Sequence, residues 1–364
     1  MRLQRANHFG NPVQGEDQDV RYGALRERAL DNGLAEQVMH LELNLAVRMR
    51  DRFEPQRSRL IAENLLAMES RFALASRAKL HSSLAQDLAM SGHHAPARAA
   101  FDRALELLAS ADLADDERNG EWDQTAIYRA ISAIDDEGAT DRVMLVEEVL
   151  VRAKLGSLAE STTTLAVDAS PEHQYRHHLL LRLLDAEPEL ESLRQTYFNR
   201  LRRHDSDSKH QIESVNPSNP SNQPKYREPP LAHPWELINL YRGLLACHRD
   251  EFEYAATCFE NALRICFQES HGVTLRIIGA MVATVAWAAT RMERFRDLGR
   301  EIIRGPRQGR ALPSGVDGEQ PAALGDLLPA TTPWIEVWNA ILDNPTPQQE
   351  DGVLARKLLP FNYR

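Results

Sequence analysis

Two clusters in this 364-residue chain have residue types and spacing that could do chemistry. His173 and His177 stand four apart beside Glu172 and His178. On a helix that step puts two imidazoles on one face, as a metal-binding pair requires. A tetrahedral site needs further ligands, and none can be assigned, so the pair reads as exposed or capping histidines and no metal or other cofactor is expected. The second cluster is Arg294, Arg296, Arg300, Arg304, Arg307 and Arg310. Within it Arg296, Arg300 and Arg304 repeat at four-residue steps and line one helix face, where planar guanidinium groups could grip phosphates or an acidic peptide. Paired with Asp297 and Glu301, the same arginines would form a solvated helix face instead. No glycine-rich phosphate loop, Gly-x-Ser-x-Gly elbow or His-Glu-x-x-His helix occurs in the sequence. The chain therefore reads as non-enzymatic, with metal-assisted hydrolysis by His173 and His177 as a third-ranked reading.

Composition narrows the partners. The chain is 43% hydrophobic and 26% charged, with a formal net charge of -10. It can bury a substantial core, and its acidity argues against broad attraction to nucleic acid or anionic lipid. The lysines are Lys79, Lys154, Lys209, Lys225 and Lys357, so arginine carries most of the positive charge. Cys247, Cys258 and Cys266 lack metal-ligand spacing and read as small packing residues of a reduced compartment. The uncharged run Ile277 to Thr290 is shorter than the ~20 residues that cross a bilayer and reads as a buried helix. The amino terminus lacks a secretory signal's apolar core. Together these features predict a cytoplasmic protein with no membrane partner.

The elements that must position these residues are helices. Trp235 to Phe267 reads as two of them joined by a turn near Asp250. Phe252, Ala255, Ala256, Phe259, Ala262, Leu263 and Cys266 fall at three- and four-residue steps on the second, and Trp235, Ile238, Tyr241 and Leu245 on the first. Lys79 to Leu108 repeats the arrangement, with Leu84, Ala85 and Leu88 on its first helix, Gly92 at the turn, and Ala97, Phe101 and Ala104 on its second. The triplets Ala97, Phe101, Ala104 and Ala255, Phe259, Ala262 share one spacing. Both stretches resemble the tetratricopeptide repeat, a helix-turn-helix unit that stacks into a superhelix. The resemblance implies that Gly243, Ala255 and Ala262 are the small residues that let two helices approach, with Phe259 filling the space between. Arg242 stands where that repeat usually has leucine, Asn239 where it often has tryptophan, and His81 where the earlier hairpin would have it. A third stretch around Asn44 to Leu66 echoes the pattern when Phe53 is aligned with Phe252, which places Gln56 and Glu63 where the small alanines belong.

The remaining chain extends this all-α, solenoid-like reading. A hairpin is predicted from Trp122 to Ile134 and Asp141 to Leu155, with a turn at Asp135 to Gly138. Ser170-Pro171-Glu172 signals a helix start, and that helix runs to about Leu184. A helix opened by Pro188 carries Leu190, Leu193, Tyr197 and Leu201 on one face and ends in Arg200, Arg202, Arg203 and His204. His93 and His94 fill an interhelical turn. Further helices are expected over Val273 to Thr290, Arg294 to Ile303, Trp334 to Leu342 and Gln348 to Leu359, the last two capping an apolar face. The predicted organisation is a flexible segment over 1–20, helical repeats over 21–204, a Pro/Ser/Asn-rich linker over 205–234, repeat-like helices over 235–304, a Gly/Pro-rich loop over 305–333 and capping helices over 334–364.

Stacked helical pairs expose a surface formed mainly by first helices, where proteins of this resemblance bind peptides or partner helices. The leading expectation is thus a scaffold, adaptor or regulator that binds a protein or peptide through Gln86, Asn239 and Arg242, with Arg296, Arg300 and Arg304 as a further contact. The alternative is a nucleic-acid-associated accessory subunit that uses the arginines near 194–203 and 294–310.

Overall fold

The computed structural model describes residues 34–51, 54–163, 171–214, 235–268, 273–305 and 333–357, with isolated positions 24, 28, 29, 32 and 324. The expected flexible segment over 1–20, positions 215–234 of the linker and most of the loop over 305–333 lie outside these residues. Among the described residues there are fifteen α-helices, two short 3-10 helices and no strand. They divide into two compact units, one of Met1–Asp141 with Cys266–Arg364, the other of Arg142–Ile265.

The first unit begins with α1 (Ala35–Asp51), α2 (Pro55–Leu66), α3 (Leu74–Met90), α4 (His94–Ser110) and α5 (Asp115–Asp135). Each packs on the next, and the alternate helices α1, α3 and α5 also meet in sequence order. Helices packed in adjacent pairs in this way are compatible with a helical repeat. The same unit holds α12 (Val273–Thr290), α13 (Glu293–Arg304), α14 (Pro333–Asp343) and α15 (Gln349–Lys357). α12 is the helix expected to be buried, and Met281, Val282, Ala283, Val285 and Ala286 are fully enclosed. α13, α14 and α15 all pack against it. Two indole N–H groups fix this packing: Trp287 donates to the Ile341 carbonyl at 3.2 Å and Trp338 to the Ala355 carbonyl at 3.0 Å. No helix among the described residues is long and apolar enough to cross a membrane.

The second unit contains α6 (Arg142–Arg152), α7 (Leu158–Thr163), α8 (Pro171–Ala186), α9 (Glu191–Ser214), α10 (Trp235–Cys247) and most of α11 (Phe252–Gln268). Here α6 meets α8, α8 meets α10, and α7 meets α9. First helices therefore touch first helices, and second touch second. The short α7 has no counterpart in the sequence reading, which ends the hairpin at Leu155. α9 also departs from expectation by continuing through Asp205 to Ser214. That polar stretch has no proline or glycine before Pro217 to interrupt the helix. Arg202 and Arg203 are consequently interior to α9 and not at its carboxyl end.

One turn recurs. Gly92 (φ 76°), Lys154 (φ 61°) and Asp250 (φ 57°) adopt the left-handed conformation just after α3, α6 and α10. The next amide then donates to a carbonyl in the preceding helix: His93 to Leu88 at 2.8 Å, Leu155 to Leu150 at 3.0 Å, and Glu251 to Ala246 at 3.1 Å. This bond satisfies carbonyls left open at a helix end. It also sets the register of the next helix. Counted from that amide, Ala97, Phe101 and Ala104 of α4 coincide with Ala255, Phe259 and Ala262 of α11, and all six are 0% exposed. Glu54 makes the same bond to Met49 at 2.9 Å. The same count places Ser58, Ala62 and Leu65, all buried, at the equivalent sites of α2. This corrects the assignment of Gln56 and Glu63 to those sites, since both are exposed. Gly243 shows why a small residue is needed on a first helix: a Cβ there would stand 2.6 Å from the Phe259 ring.

Candidate partner-binding site

The side chains singled out by sequence fall into three unlike settings. Gln86 lies in a buried polar network that joins α1, α2 and α3. Arg50, from the last turn of α1, donates through Nε to Asp87 Oδ1 at 2.9 Å and through Nη1 to Gln86 Oε1 at 2.9 Å. Its Nη2 donates to the Ser83 carbonyl at 3.2 Å and to Ser83 Oγ at 2.7 Å. The other Asp87 oxygen accepts from Ser58 Oγ at 2.8 Å. Arg50 is 3% exposed and Asp87 0%. Burial pushes the Asp87 carboxyl above its ordinary pKa, while the Arg50 charge and the hydrogen bonds from Arg50 and Ser58 pull it back. The expected surface role of Gln86 thus meets a side chain engaged in fixing three helices. Arg50, Ser58 and Asp87 gave no separate sequence signal, because they are far apart in the chain and each is common on a helix.

Arg296, Arg300 and Arg304 share one face of α13, as their spacing requires, but α14 supplies acidic and amide partners. Arg300 donates through Nε and Nη2 to Asp343 Oδ1 at 3.1 and 2.8 Å. Arg304 donates to Asp343 Oδ2 at 2.6 Å and to Asn339 Oδ1 at 2.8 Å. Hydrogen bonds from Arg304 and then Arg300 hold the Asp343 carboxyl below its usual pKa. Arg296 donates to Glu293 Oε1 at 3.0 Å, and its guanidinium lies over the Trp287 ring, 5.1 Å from the centroid. The cluster staples two helices together. Asp297 does lie near Arg296, at 3.8 Å; Glu301 is buried in the α13 face toward the core.

Asn239 and Arg242 occupy adjacent turns of α10 and are both half-buried. Asn239 donates to its own Trp235 carbonyl at 2.9 Å. Arg242 enters a polar seam among α8, α9 and α10. Its Nε donates to the Tyr197 hydroxyl at 3.3 Å, and that hydroxyl lies 3.2 Å from His177 Nε2. A guanidinium can only donate, so the Tyr197 oxygen accepts from Arg242. Buried beside that cation, His177 is neutral. Burial, then the Arg242 charge, lowers its pKa to about 3. His178, also buried, packs against Tyr241 with ring centroids 5.3 Å apart and ring planes tilted by 49°. Its Nε2 has no hydrogen-bond partner, and burial, then Arg182 and His177, holds its pKa well below the ordinary value.

Of the pair expected to be exposed or capping, His177 is interior at 7% exposure, and the adjacent His178 is 4% exposed. The His173 side chain lies outside the described residues. No group of three or more His, Cys, Asp or Glu able to hold a metal is found among the described residues. Arg194, one of the arginines of the nucleic-acid alternative, lies in the first turn of α9 and caps the carboxyl end of α8. Its Nε and Nη2 donate to the Leu184 carbonyl at 2.9 and 2.7 Å, and Nη2 also reaches the Glu187 carbonyl at 3.0 Å. A cation at a helix carboxyl end complements the macrodipole as well as the open carbonyls. His93 is the residue before α4 and His94 its first, as expected for a turn. Comparison with family models, with curated protein sequences and with solved structures returned no match.

Proposed function

We propose that this chain is a non-enzymatic scaffold, adaptor or regulator, similar to tetratricopeptide-repeat proteins, that binds a protein or peptide partner on its helical-repeat surface. The reading rests chiefly on the register shared by α4 and α11: one left-handed turn, one closing hydrogen bond, then a small, a large and a small residue, all fully buried. Stacking such hairpins buries the small-residue faces and leaves the outward surfaces of successive helices for recognition. The best-placed sequence-predicted contact is Arg242 with Asn239, half-buried at the edge of the α8–α10 seam. Three arginines of the nucleic-acid alternative are engaged within the protein, Arg194 with carbonyls and Arg300 and Arg304 with Asp343.

Affinity capture of the full-length tagged protein at low and moderate salt tests this reading, with protein and nucleic acid both identified. The expected result is a defined protein partner retained at moderate salt in stoichiometric yield. Nucleic acid as the sole retained species, released steeply as salt rises, would overturn it.

A further inference from the structure

The Arg242 guanidinium is held in place by the protein and has no counter-ion among the described residues. Its Nε bond to Tyr197 fixes the plane of the group. Tyr197 is fully buried and is anchored in turn by His177. The polar neighbours that act on Arg242 most strongly are Tyr197, Tyr254 and Cys258. None of these is an acid at neutral pH. Among the described residues the two terminal nitrogens of Arg242 make no hydrogen bond or ion pair. Arg300 and Arg304, in contrast, share the Asp343 carboxylate. A half-buried cation without a partner is costly because water is partly removed and nothing replaces it.

We infer that Arg242 is the anchor of a carboxylate-binding site at the seam of α8, α9 and α10. The two free terminal nitrogens present parallel N–H groups that match both oxygens of a carboxylate. A single uncompensated charge is neutralised by one monoanion, whereas a phosphate dianion would leave excess negative charge in a partly desolvated position. Asn239 lies one turn away, its amide nitrogen committed to Trp235 and its Oδ1 left as an acceptor. A donor pair beside an acceptor suits a carboxylate carried on a peptide, an acidic side chain with its own backbone N–H nearby. The inference deepens the partner-binding reading and rests on it only for the source of the carboxylate.

The test is NMR of the full-length protein with ¹⁵N-labelled arginine, titrated separately with acetate, with the blocked peptide acetyl-Ala-Glu-Ala-amide, and with inorganic phosphate. Saturable shifts of the Arg242 guanidinium resonances with either carboxylate support the site. Tighter saturation by the peptide assigns the carboxylate to a partner's side chain, and equal saturation by acetate assigns it to a free carboxylate. Arg242→Lys, which keeps the charge but loses the planar fork, should weaken binding about tenfold or more. Tyr197→Phe removes the orienting hydroxyl and should weaken it less, with the unfolding temperature of each variant confirming that it folds. No carboxylate-dependent shift at Arg242, or a phosphate response stronger than that of either carboxylate, overturns the inference. Partner capture run on wild type and Arg242→Lys separates the two ideas: a partner held equally by both, with no carboxylate shift, retains the scaffold and removes the site. A carboxylate shift without any captured partner retains the site and removes the scaffold.

Discussion

Replacing Asp87 by alanine leaves the Arg50 guanidinium at 3% exposure with its main counter-ion gone, and deprives the Ser58 hydroxyl of its acceptor. Removing one partner of a buried ion pair costs about 3–5 kcal/mol, because the survivor stays desolvated. Arg50→Met should cost a similar amount, since it abandons Asp87 and the groups on Ser83 and Gln86 together. The double variant Arg50→Met/Asp87→Leu leaves no buried charge and fills the space with apolar atoms, so it should be far more stable than the sum of the single changes predicts. A coupling of about 3 kcal/mol or more is expected, at the upper end of what contacting residues show. The assay is urea unfolding followed by far-UV circular dichroism for wild type, both single variants and the double. In thermal scans each single variant should melt roughly 6–20 °C lower, at the usual ~2–4 °C per kcal/mol for a unit of this size. Additivity of the two single effects within about 0.5 kcal/mol would refute the network as one cooperative lock.

Gly243→Ala adds a Cβ at 2.6 Å from the Phe259 ring and should destabilise by about 1–3 kcal/mol through overpacking, relieved by Phe259→Leu in the same chain. Because the folded His177 pKa of about 3 lies below the ordinary value, its contribution is fully present above about pH 6.5 and is lost as pH falls from there toward 3. Urea unfolding at a series of pH values between 7 and 4 should show that loss, at up to about 1.4 kcal/mol per pH unit for this histidine, and His177→Asn should remove its share while leaving that of His178. Asp343→Asn should cost at most about 1 kcal/mol, since that carboxylate is half exposed, and the loss should shrink in high salt. A loss that salt leaves unchanged would mean the ion pairs are not its source.

The chain's helical nature, the turns at Gly92 and Asp250, and the paired triplets ending in Ala104 and Ala262 were legible because periodicity and small-residue spacing are local properties. The buried run of α12 was legible for the same reason. Local information could not place Ser58, because the register of α2 depends on the Glu54–Met49 bond and not on the alignment of Phe53. The end of α9 at Ser214 was misread since Ser and Asp mark caps and turns in sequence yet remain compatible with a continuing helix. The arginine spacing of α13 correctly predicted a shared face, but not that Asp343 and Asn339 of α14 would occupy it. His177 read as an exposed or capping residue, and only the packing of α8 against α6 and α10 made it, with His178, interior and neutral. Arg242 shows the division most plainly. Its sequence position gave a charge on a first helix, while its setting among Tyr197, Tyr254 and Cys258, with no acid paired to it among the described residues, follows from which of α8, α9, α10 and α11 came together. Sequence by itself determined which segments are helical and which faces are apolar, since backbone propensity and side-chain period act over a few residues. Tertiary structure decided which charges are satisfied and which remain open, because counter-ions arrive from elements distant in the chain.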